Sequence, residues 1–190
     1  MLEIRSEQME RVQAMLGGLP GNKTKAALSN AATRAMQTAR GRVWKTVHEE
    51  YTVKKSAFLR ETKIRLYRAN KEAIGAGLEF KGHLIPLIDY NVKGYRAHEK
   101  RAVRLAKVEV FRGAEERLRH AYIANLGTYG EAVFERLAPR RDTSSQLYGP
   151  SAAHMAGNAA VIDDVSKAAQ QTFDDRLEHE IDRILRGYGV

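Results

Sequence analysis

Apolar residues return at every fourth position from Ala27 through Ala31, Ala35 and Ala39 to Val43 and Val47, flanked by Leu28, Ala32, Met36 and Trp44. That spacing predicts an amphipathic helix over 21–50, with Asn22 or Thr24 as its cap. Because the stripe is mostly alanine, another backbone can approach it closely. A second stripe, from Val161 through Val165, Ala168, Ala169, Phe173, Leu177 and Ile181 to Ile184 and Leu185, predicts a closing helix over 158–186. Asp163 and Asp164 near its start and Arg183 and Arg186 near its end suit the helix dipole, and Gly187 ends it.

Between the two stripes the period changes. Residues 62–68 alternate, which predicts a half-buried strand with Ile64 and Leu66 inward and Lys63, Arg65 and Tyr67 outward. Further strands are expected at 73–80, 106–111, 118–125 and 132–137, and a short helix at 54–60. Leu2 and Ile4 predict a short opening strand, and 7–16 a short helix stopped by Gly17, Gly18 and Pro20. Residues 83–104, with Pro86, Gly94 and the basic group Arg96, Lys100, Arg101 and Arg104, read as an extended basic loop that orders on a neighbour. The expected fold is α+β: two long amphipathic helices packed on an antiparallel sheet of about four to five strands. One domain over 1–190 is expected, with an N-terminal strand and helix (1–20), a long basic helix (21–50), a sheet (62–137), an elbow (138–157) and a C-terminal helix (158–187).

Composition narrows the function. A chain of 190 residues with 43% hydrophobic content can bury a sizeable core. The absence of cysteine excludes disulfides and thiol chemistry. No apolar run reaches the ~20 residues that span a bilayer, and Met1–Arg5 lacks the apolar stretch of a secretory signal, so synthesis in a cytoplasm is expected. The net charge of +9 is unevenly spread. Residues 21–68 carry twelve Lys and Arg against three Glu, and 93–119 carry nine bases against four acids. Residues 158–190 reverse the sign, with seven acids against four bases. Such asymmetry fits a polyanion partner or contacts between subunits of complementary charge; solvated helix faces would also produce it.

Catalytic patterns are missing. The six histidines are scattered, and none stands four residues from another as a helical zinc pair requires. Paired carboxylates such as Asp163-Asp164 and Asp174-Asp175 are adjacent in sequence, so on a helix they diverge by about 100°. Gly75-Ala76-Gly77 lacks the rest of a dinucleotide fingerprint, and no serine sits in a nucleophile elbow. The chain reads as a non-enzyme without cofactor or metal. Nucleic-acid binding stays open, because Arg96, Lys100, Arg101 and Arg104 could neutralise phosphates, although no DNA- or RNA-binding module signature is present.

The most informative stretch is Arg140-Arg141-Asp142-Thr143-Ser144-Ser145-Gln146-Leu147-Tyr148-Gly149-Pro150-Ser151. Pro150 fixes its own φ and excludes Gly149 from the helical region, and Ser151 or a nearby polar residue can cap the helix that follows. This LYGPS elbow and its basic approach resemble the minor tail protein Z family of long-tailed bacteriophages. The likeness extends over most of the chain. The segments carrying it are the Ala-rich basic helix, Tyr51-Thr52-Val53-Lys54, Leu84-Ile85-Pro86-Leu87, Phe111-Arg112-Gly113, Ala121-Tyr122-Ile123-Ala124, Val133-Phe134-Glu135-Arg136 and the closing His179-Glu180-Ile181-Asp182-Arg183-Ile184-Leu185. The chain departs from the family in approaching the elbow through Thr143-Ser144-Ser145, and in a longer, more basic 89–104 loop.

The resemblance implies a structural virion protein at the head-proximal end of the tail. It would be assembled in the bacterial host cytoplasm and form a ring, expected to be a hexamer, that completes the tail and supports head–tail joining and DNA passage. Implied partners are further copies of the chain, the head-completion or stopper and tail-terminator proteins, and passing double-stranded DNA contacted without sequence specificity. Candidate interface residues are Arg140, Arg141, Leu147, Tyr148, Gly149, Pro150, Asp174, Asp175 and Glu178. Candidate DNA-channel or partner contacts are Arg96, Lys100, Arg101 and Arg104. The alternative is a nonspecific nucleic-acid-binding protein.

Overall fold

A stripe of alanines on a helix can only be buried by close approach of another element, and α1 (Gly21–Glu50) shows this: Ala27, Ala31, Ala35 and Ala39 are almost wholly inaccessible. The computed structural model describes residues 21–68, 76–94, 106–125, 130–137 and 144–187. The expectations for the opening strand and the 7–16 helix lie outside them, and the expected cap of α1 needs correction: Asn22 and Thr24 stand inside the helix, which already includes Gly21, so neither is its N-cap. The chain divides into two compact units, one comprising Met1–Thr46, Ile64–Phe80 and Asn158–Val190, the other Val47–Lys63 and Lys81–Gly157.

The first unit is built on two helices. Besides α1 it holds α4 (Ala159–Leu185), whose N-cap Asn158 accepts a hydrogen bond from Ala160 N at 3.0 Å. Val161, Val165, Ala169, Phe173, Leu177 and Ile184 form the buried face of α4. Leu185, expected in that stripe, is 68% exposed, because the stripe ends one residue earlier. Gly187 has a φ of 82°, the left-handed conformation that stops a helix. No helix among the described residues is long and apolar enough to cross a membrane.

Strands β1 (Thr62–Tyr67) and β2 (Gly77–Gly82) pair with each other. In β1, Ile64 and Leu66 are half-buried while Lys63, Arg65 and Tyr67 are exposed, as the alternation requires. The division between the units cuts β1 between Lys63 and Ile64 and β2 between Phe80 and Lys81, and in the first unit Tyr67 Oη donates to Glu79 Oε2 at 2.9 Å.

The second unit holds α2 (Lys55–Arg60) and most of the β structure. Strands β3 (Leu84–Pro86) and β10 (Tyr148–Ser151) pair antiparallel. Strands β4 (Asn91–Lys93), β5 (Ala106–Glu109) and β6 (Glu115–Leu118) form one three-stranded antiparallel sheet. Another is made by β7 (Ala121–Asn125), β8 (Glu131–Arg136) and β9 (Ser144–Gln146). The short helix α3 (Ala152–Ala156) follows β10 directly. The fold is therefore α+β, with two long helices and several small antiparallel sheets.

Two further expectations need correction. The strand expected over 118–125 is two strands, because Arg119 and His120 form a turn and β6 pairs back onto β5. No glycine or proline marks that break, since the turn is made by a basic residue and a histidine. The loop expected over 83–104 is regular as far as Lys93: β3, a 3₁₀ turn (Leu87–Asp89) and β4 occupy it. Ile85, Leu87 and Tyr90 are buried there, so packing orders a stretch whose proline had suggested a loop. The remainder of that loop lies outside the described residues, apart from Gly94.

The core of the second unit is aromatic as well as aliphatic. Tyr51, Phe58, Ile85, Val133 and Met155 are all under 2% exposed. Tyr51 lies 4.7 Å from Phe111, ring to ring, at a tilt of 37°. Asp89 anchors α2 by pairing with Arg60 Nη2 at 2.9 Å, and its carbonyl accepts from Lys54 N at 2.9 Å.

Candidate functional site

Two places concentrate polar chemistry, one in each unit. The first is the elbow. Gly149 and Pro150 are part of β10, where Tyr148 lies opposite Pro86 and Gly149 opposite Ile85, with an irregularity before Ser151. Tyr90 sits over the glycine: its hydroxyl donates to the Pro150 carbonyl oxygen at 2.8 Å and lies 4.0 Å from Met155 Sδ. Burial pushes the Tyr90 hydroxyl well above the usual phenol range. Ser151 Oγ accepts from His154 N at 3.2 Å and so caps α3. Leu147 N donates to the Val133 carbonyl at 2.8 Å, and the Leu147 carbonyl accepts from Leu87 N at 3.0 Å. The elbow is held by backbone and core.

Its outer face differs from its inner one. Opposed residues of an antiparallel pair point the same way, and residues two apart share a face. Ile85 and Gly149 therefore face inward, whereas Leu84, Pro86 and Tyr148 face outward. Leu84 is 58% exposed, Tyr148 47% exposed and Pro86 half-buried, so the outward face is largely apolar and partly open.

The second place is in the first unit, where α1 and α4 run antiparallel. Arg42 on α1 grips Asp164 on α4 through two bonds, Nε to Oδ2 at 2.8 Å and Nη2 to Oδ1 at 2.9 Å. Thr46 Oγ1 donates to the same carboxylate at 2.6 Å. The Arg42 guanidinium, then the Thr46 hydroxyl, hold the Asp164 pKa down to about 2. Toward the other end of the pair, residues 29–37 of α1 and 176–183 of α4 line a groove of about 610 Å³.

Helical spacing explains the groove's lining. Arg176, His179, Glu180 and Arg183 stand at i, i+3, i+4 and i+7 on α4, and Asn30, Thr33, Arg34 and Gln37 repeat the same spacing on α1. Arg68, just past β1, joins them, giving four guanidinium groups to one carboxylate. Arg34 Nη1 donates to Gln37 Oε1 at 3.2 Å, and Arg183 pairs with Glu180 at 3.3 Å. Neither Arg68 nor Arg176 has a carboxylate partner among the described residues. Such a surface attracts anions. Among the described residues no group of three or more His, Asp or Glu side chains could hold a metal ion.

Several sequence-derived candidates belong to neither place. Arg140, Arg141, Arg96, Lys100, Arg101 and Arg104 lie outside the described residues. Asp175 and Glu178 are exposed on α4, and Asp174 is half-buried and accepts from Gln170 Nε2 at 3.1 Å. Sequence reasoning missed the groove because it counted 158–190 as acidic overall. The spacing of Arg176, His179 and Arg183 was the signal that could have separated a basic face from the acidic one. No family model matches the chain, and no curated protein or solved structure is significantly similar to it.

Proposed function

We propose that the chain is a non-catalytic structural protein of the virion of a long-tailed bacteriophage. It forms a ring at the head-proximal end of the tail that completes the tail and supports head–tail joining and DNA passage. The observation that carries this reading is the elbow. The residues bearing the family resemblance are clamped from within by Tyr90 and present the partly exposed Leu84 and Tyr148 outward. A preformed apolar face on rigid backbone is what a neighbouring subunit or neck protein needs. In a ring each subunit offers a different face to the next. The exposed acids Asp175 and Glu178, with Asp174, are proposed to meet a basic face of the next subunit or of a stopper or terminator protein.

The finer fold expectation, one antiparallel sheet of four to five strands, is kept as part of this proposal. Only Leu147 separates β9 from β10, and its backbone bonds to both Val133 and Leu87. That supports a kinked run from β7 through β8 and the joined β9–β10 to β3.

A second reading, nonspecific nucleic-acid binding, is favoured by the arginine-lined groove. Mass measurement by light scattering at two salt concentrations separates the two, with the protein alone and with candidate head- and tail-side neck proteins. A ring, alone or on meeting those partners, is expected. A persistent monomer that ignores them and binds any DNA tightly would overturn the neck reading in favour of the second.

A further inference from the structure

We infer that the groove between α1 and α4 is a binding site for backbone phosphates of double-stranded DNA, with Arg34, Arg68, Arg176 and Arg183 as the phosphate ligands. Three observations carry it. First, the arginines come from three separate elements, α1, the end of β1 and α4, and converge on one concavity of about 610 Å³. Charge on a merely solvated helix face would point outward instead of converging. Second, Glu180 is the only carboxylate among the described residues of the lining, which leaves an excess of positive charge among them. Guanidinium forks match phosphate oxygens bidentately.

Third, the rest of the lining selects among anions. Asn30, Thr33 and Gln37 supply uncharged donors, and among the described residues the lining contains no Phe, Tyr, Trp or large aliphatic side chain. Arginine also serves protein interfaces, but there it works beside buried Trp and Tyr anchors, and the described lining of this groove holds neither. Contacts from Arg, Asn, Gln and Thr to phosphate position a protein on a duplex without reading its sequence. The site therefore takes a polyanion of repeating phosphates and not the acidic face of another subunit.

This assignment rests on the DNA-passage part of the proposed function for the identity of the polyanion, but not on ring formation. The test is fluorescence anisotropy of a labelled 30-base-pair duplex of mixed sequence with the full chain, over a salt series. The groove variant is Arg176→Ala with Arg34→Ala. A control removes two charges elsewhere, Lys25→Ala with Lys167→Ala, on exposed positions of the same helices. Circular dichroism checks that both keep their helices, and light scattering follows assembly in parallel.

The groove variant is expected to bind at least tenfold more weakly at moderate salt, with the log–log salt slope reduced by about 2, while the control stays near the wild type. Equal losses in both variants would mean that net charge alone is responsible and would overturn the site. So would unchanged DNA binding in the groove variant, or a groove variant that loses assembly but keeps DNA binding. Failure of wild-type assembly with groove-dependent DNA binding intact would count against the ring and leave the site standing.

Discussion

The ring of Tyr90 lies against the α-carbon of Gly149, so that a β-carbon there would sit 2.6 Å from Cε2 and 2.8 Å from Cζ. Tyr90 is 3% exposed and its hydroxyl is held by Pro150, so the ring has no room to yield. Glycine is needed here for close approach. Gly149→Ala is expected to cost about 1–3 kcal/mol of stability, measured by chemical denaturation. Combined with Tyr90→Ala, which removes the obstruction, the losses should fall well short of additive. Additive losses would show that the two residues do not compete for that space.

Tyr90→Phe keeps the ring and deletes the bond to Pro150. A loss of about 0.5–1.5 kcal/mol at neutral pH is expected. The pH dependence has a definite sign. The folded-state pKa is raised by burial above the ordinary value of 10.0, so the unfolded chain ionises first. The stabilisation is complete below pH 10.0 and drains away above it. Melting temperatures of the wild type should therefore fall faster above that pH than those of Tyr90→Phe, and parallel curves would contradict this.

The Arg42–Asp164 pair is half-exposed, with 38% and 35% of the two side chains accessible, so solvent screens it. Asp164→Asn should cost no more than about 1 kcal/mol at neutral pH. Because the Asp164 pKa is depressed from 3.8 to about 2, the stabilisation is full above 3.8 and is lost as pH falls toward 2. The gap in melting temperature between the wild type and Asp164→Asn should close over that window. A gap that persists below it would assign the effect to packing.

Asp175 and Glu178 are exposed on α4, so reversing them should barely change folding. Under the neck proposal Asp175→Lys with Glu178→Lys weakens assembly and alters its salt dependence, read by light scattering. Unchanged assembly at both salt concentrations would remove these acids from the interface.

How far the sequence reached depended on the length of each pattern. The Ala27–Val47 stripe repeats over many turns, so it located α1 without help from other residues. Alternation in 62–67 likewise placed β1 and the faces of Ile64 and Leu66. Short elements were harder. Arg119 and His120 turn the chain with neither glycine nor proline to mark them, and β3 and β4 are three residues each, too short to show a period. The motif around Tyr148-Gly149-Pro150-Ser151 suggested a turn and a cap; Ser151 is that cap, but Tyr148–Ser151 pair with β3 as strand β10 instead of turning. Nothing near it in sequence pointed to Tyr90, about sixty residues away, as the side chain that requires the glycine.

By itself the sequence determined the two long helices, the alternation of β1, the absence of cysteine chemistry and the uneven placement of charge. These follow from local periodicity and composition, which need no knowledge of what lies across the fold. Tertiary structure alone decided which distant groups share a place: Tyr90 with Gly149, Arg42 with Asp164, and Arg34 with Arg176 and Arg183. A charge count along the chain averages over all faces of a helix. Packing of α1 antiparallel to α4 separates those faces, so a segment acidic in sum contributes its arginines to a basic groove.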